Sequence, residues 1–251
     1  MSYRREYDRT LRVGLVGVGS HAYRNILPAL HHLPVTLSAL CDVDDALARR
    51  TATEYGGPPV FTDSARMYAD VELDAVLLCA GPRQHPDLAV QAFSAGLHVW
   101  MEKPPGLRAA DVERILAASG DQTCAVGFKK AYMPAVRKAR ELIELPEFGA
   151  LRSILAVYPM TIPCDGAGVL ARAEFTNWLA NGCHPLSLLV ELGGPVRSVR
   201  TIRGPGEDAS GAVHLEFANG AIGTFFLAGG APPGYPVERY DLYGAGRVVS
   251  I

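Results

Sequence analysis

Gly17 and Gly19, in "LRVGLVGVGSHAYRNILPAL", follow an apolar run rich in β-branched residues and precede a helical pattern. This is the setting of a dinucleotide phosphate-binding turn. The first glycine permits a tight turn, and the second lets the backbone approach a pyrophosphate held at the helix start. In place of the third glycine of G-x-G-x-x-G stands Ala22, an accepted alternative at a position that serves close helix–strand packing. Asp42 ends the next apolar run, where a carboxylate hydrogen-bonds the adenosine ribose 2′-hydroxyl and repels a 2′-phosphate. NAD is the expected cofactor, with NADP the weaker candidate. The plainer alternative is a glycine-rich turn beside a capping aspartate. Lys103, in "HVWMEKPPGL", closes the fifth apolar run. An ammonium at a strand end facing the ligand crevice can hold a substrate hydroxyl against a nicotinamide and stabilise alkoxide character as hydride leaves. Its plainer alternative is a solvated lysine.

The elements that position these groups alternate regularly. "LRVGLVGVG", "VTLSALCD", "PPVFTD", "LDAVLLCAG", "LHVWMEKP" and "TCAVGF" read as strands, with helical patterns between them. Such alternation implies βαβ units and a parallel sheet. After about residue 130 the pattern changes. "PAVRKARELIE" reads as a helix and "ALRSILAVYPM" as a long strand. An irregular stretch holding Pro163, Gly166 and Gly168 leads to a helix over "HPLSLLVEL". "VRSVRTIRG", "GAVHLEFANG", "AIGTFFLAGG" and "ERYDLYGAGRVVSI" then read as strands of a mainly antiparallel sheet, with a hairpin signal at "NG". The fold class is α/β: a doubly wound parallel sheet over residues 1–130, then an α+β domain with an open sheet over 131–251.

Composition narrows the function classes. The 251 residues are 49% hydrophobic and 20% charged, with a net charge of −2 and no cationic stripe. No nucleic-acid or membrane partner is therefore expected. No apolar run approaches the roughly 18 residues of a membrane span. The N-terminal "MSYRREYDRT" is too polar for a signal peptide. Five scattered cysteines without a C-x-x-C pair fit a reducing cytoplasm, and no residue group has metal-ligand spacing.

"MEKP" carries a tripeptide, Glu102-Lys103-Pro104, that resembles the signature of the Gfo/Idh/MocA oxidoreductases. Four further segments match that family in order: "DAVLLCAGPRQHPDLAVQAFSAGLHVWMEKP", "VGFKKAYMPAVRKARELI", "NGCHPLSLLVELGGPV" and "RYDLYGAGRVVSI". The resemblance covers essentially the whole chain. It implies a Rossmann domain and hydride transfer between NAD and a secondary alcohol or ketone of a sugar, sugar derivative or cyclitol. Lys103 and His184 are then the catalytic candidates. Gly17, Gly19, Ser20, His21, Asp42, Ala80, Pro82, His85, Glu102 and Lys103 are expected at the cofactor. Tyr158, Thr161, Asn177, Trp178, Asn181 and His184 join Lys103 as substrate-binding candidates, with Trp178 equally plausible as a core anchor.

An imidazole titrates near neutrality, which suits a base taking a hydroxyl proton. The family's acids four before and three after the histidine are replaced by Ala180 and Ser187. His184 therefore binds substrate or exchanges its proton, and two alternatives stay open. One is a redox-neutral member of the family that cleaves or epimerises a glycoside, and the other an NAD-binding protein without catalysis. Lys129 and Lys130 stand where the family often has Asn and Arg; surface exposure is the default for both, and a place for one of them in the cleft stays open. The resemblance also implies a longer C-terminal domain, shortened here, and a homo-oligomer formed through the open sheet.

Overall fold

The computed structural model describes residues 9–207, 209–231 and 238–251. The polar start of the chain, residues 1–8, lies outside them. The chain divides into two compact units, Met1–Gly127 and Phe128–Ile251.

The first unit holds six strands: β1 (Leu11–Val16), β2 (Val35–Cys41), β3 (Val60–Phe61), β4 (Ala75–Leu78), β5 (His98–Met101) and β6 (Cys124–Val126). They form one sheet in the order β3-β2-β1-β4-β5-β6, and every neighbouring pair is parallel. This is the strand order of a dinucleotide-binding fold, with the switch point between β1 and β4. Helices α1 (Leu27–Leu30), α2 (Asp45–Glu54), α3 (Ser64–Asp70), α4 (His85–Ser94) and α5 (Ala109–Ser119) connect the strands. Aspartates fix two helix starts: Asp44 accepts from the Leu47 N–H, and Asp63 from those of Ala65 and Arg66. Two apolar clusters, one around Leu15, Leu27 and Leu40 and one around Val76, Leu78 and Met101, bury the sheet. That burial explains why β4 reads as a continuous apolar run. The chain between β1 and α1 is not plain α-helix, for Ala22–Ile26 forms a π-helical turn.

The second unit also has a six-stranded sheet: β7 (Ser153–Tyr158), β8 (Val196–Arg203), β9 (Gly211–Phe217), β10 (Ile222–Leu227), β11 (Arg239–Tyr243) and β12 (Val248–Ser250). Its order is β12-β11-β7-β10-β9-β8. All pairs are antiparallel except β7 with β10. Helices α6 (Pro134–Ile143), α7 (Gly166–Ala171) and α8 (Asn177–Gly193) complete it. Phe148, Ile154, Leu188, Phe225 and Tyr240 are central to its core.

Three sequence expectations are corrected here. "ERYDLYGAGRVVSI" is two strands, β11 and β12, because the chain turns at Gly244, whose N–H donates to the Arg247 carbonyl. The stretch taken as irregular contains α7, capped by Asp165 through the Gly168 N–H. The helix expected over "HPLSLLVEL" starts eight residues earlier than that segment's proline, at Asn177, and continues through Pro185. Thr176 caps its true start, accepting from the Leu179 N–H. Among the described residues no helix is long and apolar enough to cross a membrane.

Candidate functional site

The glycine turn sits at the carboxyl end of β1, and its two glycines do different things. Gly17 has φ +91°, and a Cβ there would lie 2.8 Å from the carbonyl carbon and oxygen of Cys79. A side chain is excluded by the neighbouring strand end. A Cβ on Gly19 would meet nothing within 4 Å. It would project into open space, so the bare backbone there leaves room for a ligand. Ala22 is 1% exposed and packs with Leu15, Val18 and Leu27, so its methyl group fills the core rather than the ligand space.

Asp42 is built into the turn. Its Oδ2 accepts from the Val18 N–H at 2.8 Å and its Oδ1 from the Asp44 N–H at 3.0 Å. These two bonds hold the carboxylate at the rim of a cavity of about 720 Å³. The cavity is also lined by Gly17, Gly19, Ala80 and Arg83. Cys41 and Cys79 form part of its wall. Burial pushes the Cys41 thiol up to about 11 and the Cys79 thiol up to about 12, so both are neutral packing groups rather than nucleophiles. A fixed carboxylate, a backbone cradle without side chains and this volume fit a dinucleotide, which Gly17, Gly19, Asp42 and Ala80 would hold.

The remaining cofactor candidates surround the end of β5. His21 Nε2 lies 3.0 Å from Glu102 Oε1, and its Nδ1 lies 3.2 Å from Asn25 Nδ2. Glu102 Oε2 accepts from the Lys103 N–H at 3.1 Å. The pair thus joins the glycine turn to the Glu-Lys-Pro segment, whose Lys103–Pro104 peptide bond is cis. His85 is fully buried, and its Nδ1 lies 2.9 Å from the Pro104 carbonyl oxygen. Because a carbonyl only accepts, Nδ1 carries the proton. Burial lowers the imidazole pKa, so His85 is a neutral brace for that segment. Pro82 is buried, and Ser20 lines a separate, smaller groove with Tyr23, Arg24 and Arg50.

In the second unit the substrate candidates gather more closely than their sequence separation suggests. Tyr158, Thr161, Asn177 and Asn181 all line one cavity of about 350 Å³, with Met160, Gly230 and Ala231. Asn181 Nδ2 donates to Asn177 Oδ1, one helical turn away on α8. Trp178, on the same helix, instead packs against the core cluster of this unit. His184 is 6% exposed and lies on α8 below that cavity's lining residues in sequence. The Ser187 hydroxyl donates to the His184 carbonyl at 2.9 Å, and Ala180 contributes only a methyl group.

Lys130 is the main correction among the side chains. Surface exposure was the default expectation, with an inward place open for one of Lys129 and Lys130, and Lys130 is 8% exposed. Its ammonium pairs with Glu238 and lies 4.7 Å from the centroid of the Tyr158 ring. The Tyr240 hydroxyl donates to the same glutamate at 2.9 Å. Burial of a lysine needs such compensation, and the partner lies over a hundred residues away, where no local pattern could reveal it. Sequence reasoning also missed Thr62, Ser64 and Arg83 at the first cavity. The available signal was position, since all three follow strand carboxyl ends of the parallel sheet.

Comparison with known proteins gives the family and the fold. A family model described as "Oxidoreductase family, NAD-binding Rossmann fold" (GFO_IDH_MocA) matches residues 11–129, and the GFO/IDH/MocA C-terminal domain matches residues 136–249. A myo-inositol 2-dehydrogenase from Thermotoga maritima is 24% identical over 253 residues, covering 95% of this chain and 74% of that protein. A dTDP-3,4-didehydro-2,6-dideoxy-alpha-D-glucose 3-reductase from Saccharopolyspora spinosa is 27% identical, covering 96% and 74%. The crystal structure of a dehydrogenase from Chromobacterium violaceum superposes with a TM-score of 0.82 at 26% identity, covering 97% of this chain and 72% of that one. Several other curated sugar and inositol dehydrogenases are matched over less than half of their own length.

Proposed function

Because the chain belongs to the Gfo/Idh/MocA oxidoreductase family, we propose that it moves hydride between NAD and a secondary alcohol or ketone of a sugar, sugar derivative or cyclitol. The observation that carries the substrate class is the cavity lined by Tyr158, Thr161, Asn177 and Asn181. It offers phenol, hydroxyl and amide groups, with no charged side chain among its described lining residues. Such a surface suits a neutral polyhydroxylated ring, which needs several donors and acceptors and no counter-ion. The names of the inositol dehydrogenase and sugar reductase relatives support the same class.

Bound NAD supplies the hydride acceptor. Gly17, Gly19 and Ala80 approach the diphosphate and Asp42 accepts from the adenosine ribose. Ser20, His21, Pro82, His85 and Glu102 complete that side directly or by bracing it. Lys103 donates to the reacting hydroxyl through its ammonium and stabilises the oxygen as negative charge develops. His184 binds the substrate and exchanges the hydroxyl proton through its imidazole. Asn177, Asn181, Thr161 and Tyr158 hold the other hydroxyls, and Trp178 stiffens the helix that carries them.

Nucleotide titrations followed by a polyol panel, read by absorbance of the reduced nicotinamide, test this proposal. Stabilisation by NAD more than by NADP, and turnover of one ring polyol, are expected. If neither nucleotide raises the melting temperature, the reading fails at its first step. Ser187, committed to the helix backbone, favours one second reading, an NAD-binding protein without catalysis. Turnover that Lys103→Met abolishes eliminates it.

The same proposal includes a homo-oligomer. The face of the second sheet opposite its core displays Leu155, Ile202, Ile222, Phe226 and Val248, all exposed. A second copy would cover them, and light scattering of the purified chain reads the mass directly. The five cysteines, none of them in a disulfide among the described residues, are consistent with the reducing cytoplasm as its compartment.

A further inference from the structure

The cavity beside the glycine turn has an unusual charge balance for a site that takes a dianionic diphosphate. Three charged side chains line it: Asp42, Arg83 and Asp87. Both carboxylates are already engaged. Asp42 accepts from two backbone N–H groups, and Asp87 pairs with Arg114 at 2.7 Å. Two amides of the turn are committed as well, since the Gly17 N–H donates to the Cys41 carbonyl and the Val18 N–H to Asp42, each at 2.8 Å. What the turn can offer an anion is reduced by both bonds. Arg83 is exposed, is the one cation among the described lining residues, and makes no hydrogen bond or ion pair with another described residue.

Its backbone, by contrast, is firmly placed. The turn from Gly81 is closed by the Gln84 N–H at 3.0 Å and the His85 N–H at 3.1 Å, both donating to the Gly81 carbonyl. His85 then anchors the turn in the interior through Pro104. A fixed backbone with an uncommitted guanidinium at a strand carboxyl end suits a ligand contact. The planar fork matches two phosphate oxygens at once.

We propose that Arg83 is the counter-ion of the cofactor diphosphate, the side-chain charge that lets a cavity lined by two carboxylates accept NAD. The proposal rests on the reading of this cavity as the NAD site. It excludes two other roles for the same residue, stacking on adenine and pairing with a 2′-phosphate.

Titration calorimetry of the intact chain with NAD, NADP and ADP, and ligand-observed NMR with adenosine, separate these roles. Arg83→Gln should weaken NAD and ADP about tenfold and leave adenosine unchanged. Arg83→Lys should recover part of the loss, because a point charge remains without the fork. Arg50→Gln, on the exposed face of α2, serves as the control for net charge and should change NAD affinity little. Unchanged NAD affinity in Arg83→Gln overturns the proposal. So does an equal loss for adenosine, a loss confined to NADP, or an equal loss in Arg50→Gln. If the unaltered chain binds none of the nucleotides, the NAD reading falls and this inference falls with it. A wild-type NAD titration that saturates, beside an unaffected Arg83→Gln, removes the inference alone.

Discussion

The two candidate ligand cavities of this protein are made of different material. The first is shaped by backbone: Gly17 and Gly19 leave space, and the Asp42 carboxylate, pinned by two amides, lies at its rim. The second is shaped by side chains, with Tyr158, Thr161, Asn177 and Asn181 reaching into about 350 Å³ from strand, loop and helix. A site made of backbone fixes one ligand class, because glycine spacing and strand order allow few alternatives. A site made of side chains can change its ligand through substitutions that leave the fold intact. The contrast predicts that mutations at the first cavity act on all function together, while those at the second act on substrate.

The sharpest break of that contrast lies within the glycine turn. Gly17→Ala forces a Cβ against the Cys79 carbonyl in a backbone region that disfavours side chains. It should destabilise the first unit by about 3 kcal/mol and abolish saturable NAD binding. Gly19→Ala meets no atom, so its melting temperature should stay at the wild-type value while NAD affinity collapses. Calorimetric unfolding and NAD titration of both variants measure the difference. Equal melting losses in the two would show that Gly19 also serves the fold, and the division between glycines would be wrong.

Lys103→Met is the next largest effect. If the ammonium stabilises developing charge, kcat should fall about 10²- to 10³-fold with NAD affinity retained. A loss in NAD affinity of the same size would move Lys103 from chemistry to cofactor binding.

How far the sequence could be read follows the same division between backbone and side chains. The parallel pairing of the first sheet, the turn at Gly17 and the place of Asp42 after the second strand were legible because each depends on local pattern. Strand, glycine and carboxylate recur at short separations along the chain. Ala22 was legible too: its methyl group packs with Leu15 and Leu27, so the altered third position is a packing site. The split between β11 and β12 was not, since Gly244 and Gly246 sit inside a run that is otherwise strand-like. Nor was α7, a six-residue helix whose glycines mimic a loop and whose start depends on Asp165. Least legible was Lys130. Its burial depends on Glu238 and Tyr240, brought to it by the fold of a sheet whose pairing the sequence does not state.

That pair supplies a smaller test on the side-chain side. Lys130→Met removes a buried cation from the exposed Glu238 and the charge over the Tyr158 ring. We expect the second unit to lose about 1 kcal/mol, because the freed carboxylate is solvated and only the ion pair and the contact with the Tyr158 ring are lost. Lys130→Met combined with Glu238→Gln should lose less than the two single substitutions added together in urea unfolding. Full additivity of the two substitutions would show that the pair is not coupled.

The smallest effect contrasts the frames of the sheets rather than their cavities. Asp74 accepts from the Arg12 N–H at 2.8 Å and from the Arg12 guanidinium, which ties β1 to the start of β4. Those bonds hold its carboxyl well below the usual carboxylate range. In the second sheet Asp241 is also held low. Burial opposes its ionisation, but bonds from the Ser250 hydroxyl and the Arg239 guanidinium outweigh it. A carboxyl whose folded pKa is depressed stabilises the fold above its unfolded pKa of about 4, and that stability is lost as pH falls towards the folded value. Asp74→Asn should therefore be less stable than wild type at neutral pH, and the two curves should begin to approach each other below about pH 4 and meet only as pH nears the much lower folded value. Asp241→Asn should do the same for the second unit, with the larger change at neutral pH because its amide would remain buried. Urea midpoints across the acid range decide this, and curves that run parallel from neutral to acid would mean that neither carboxylate couples its sheet to protonation.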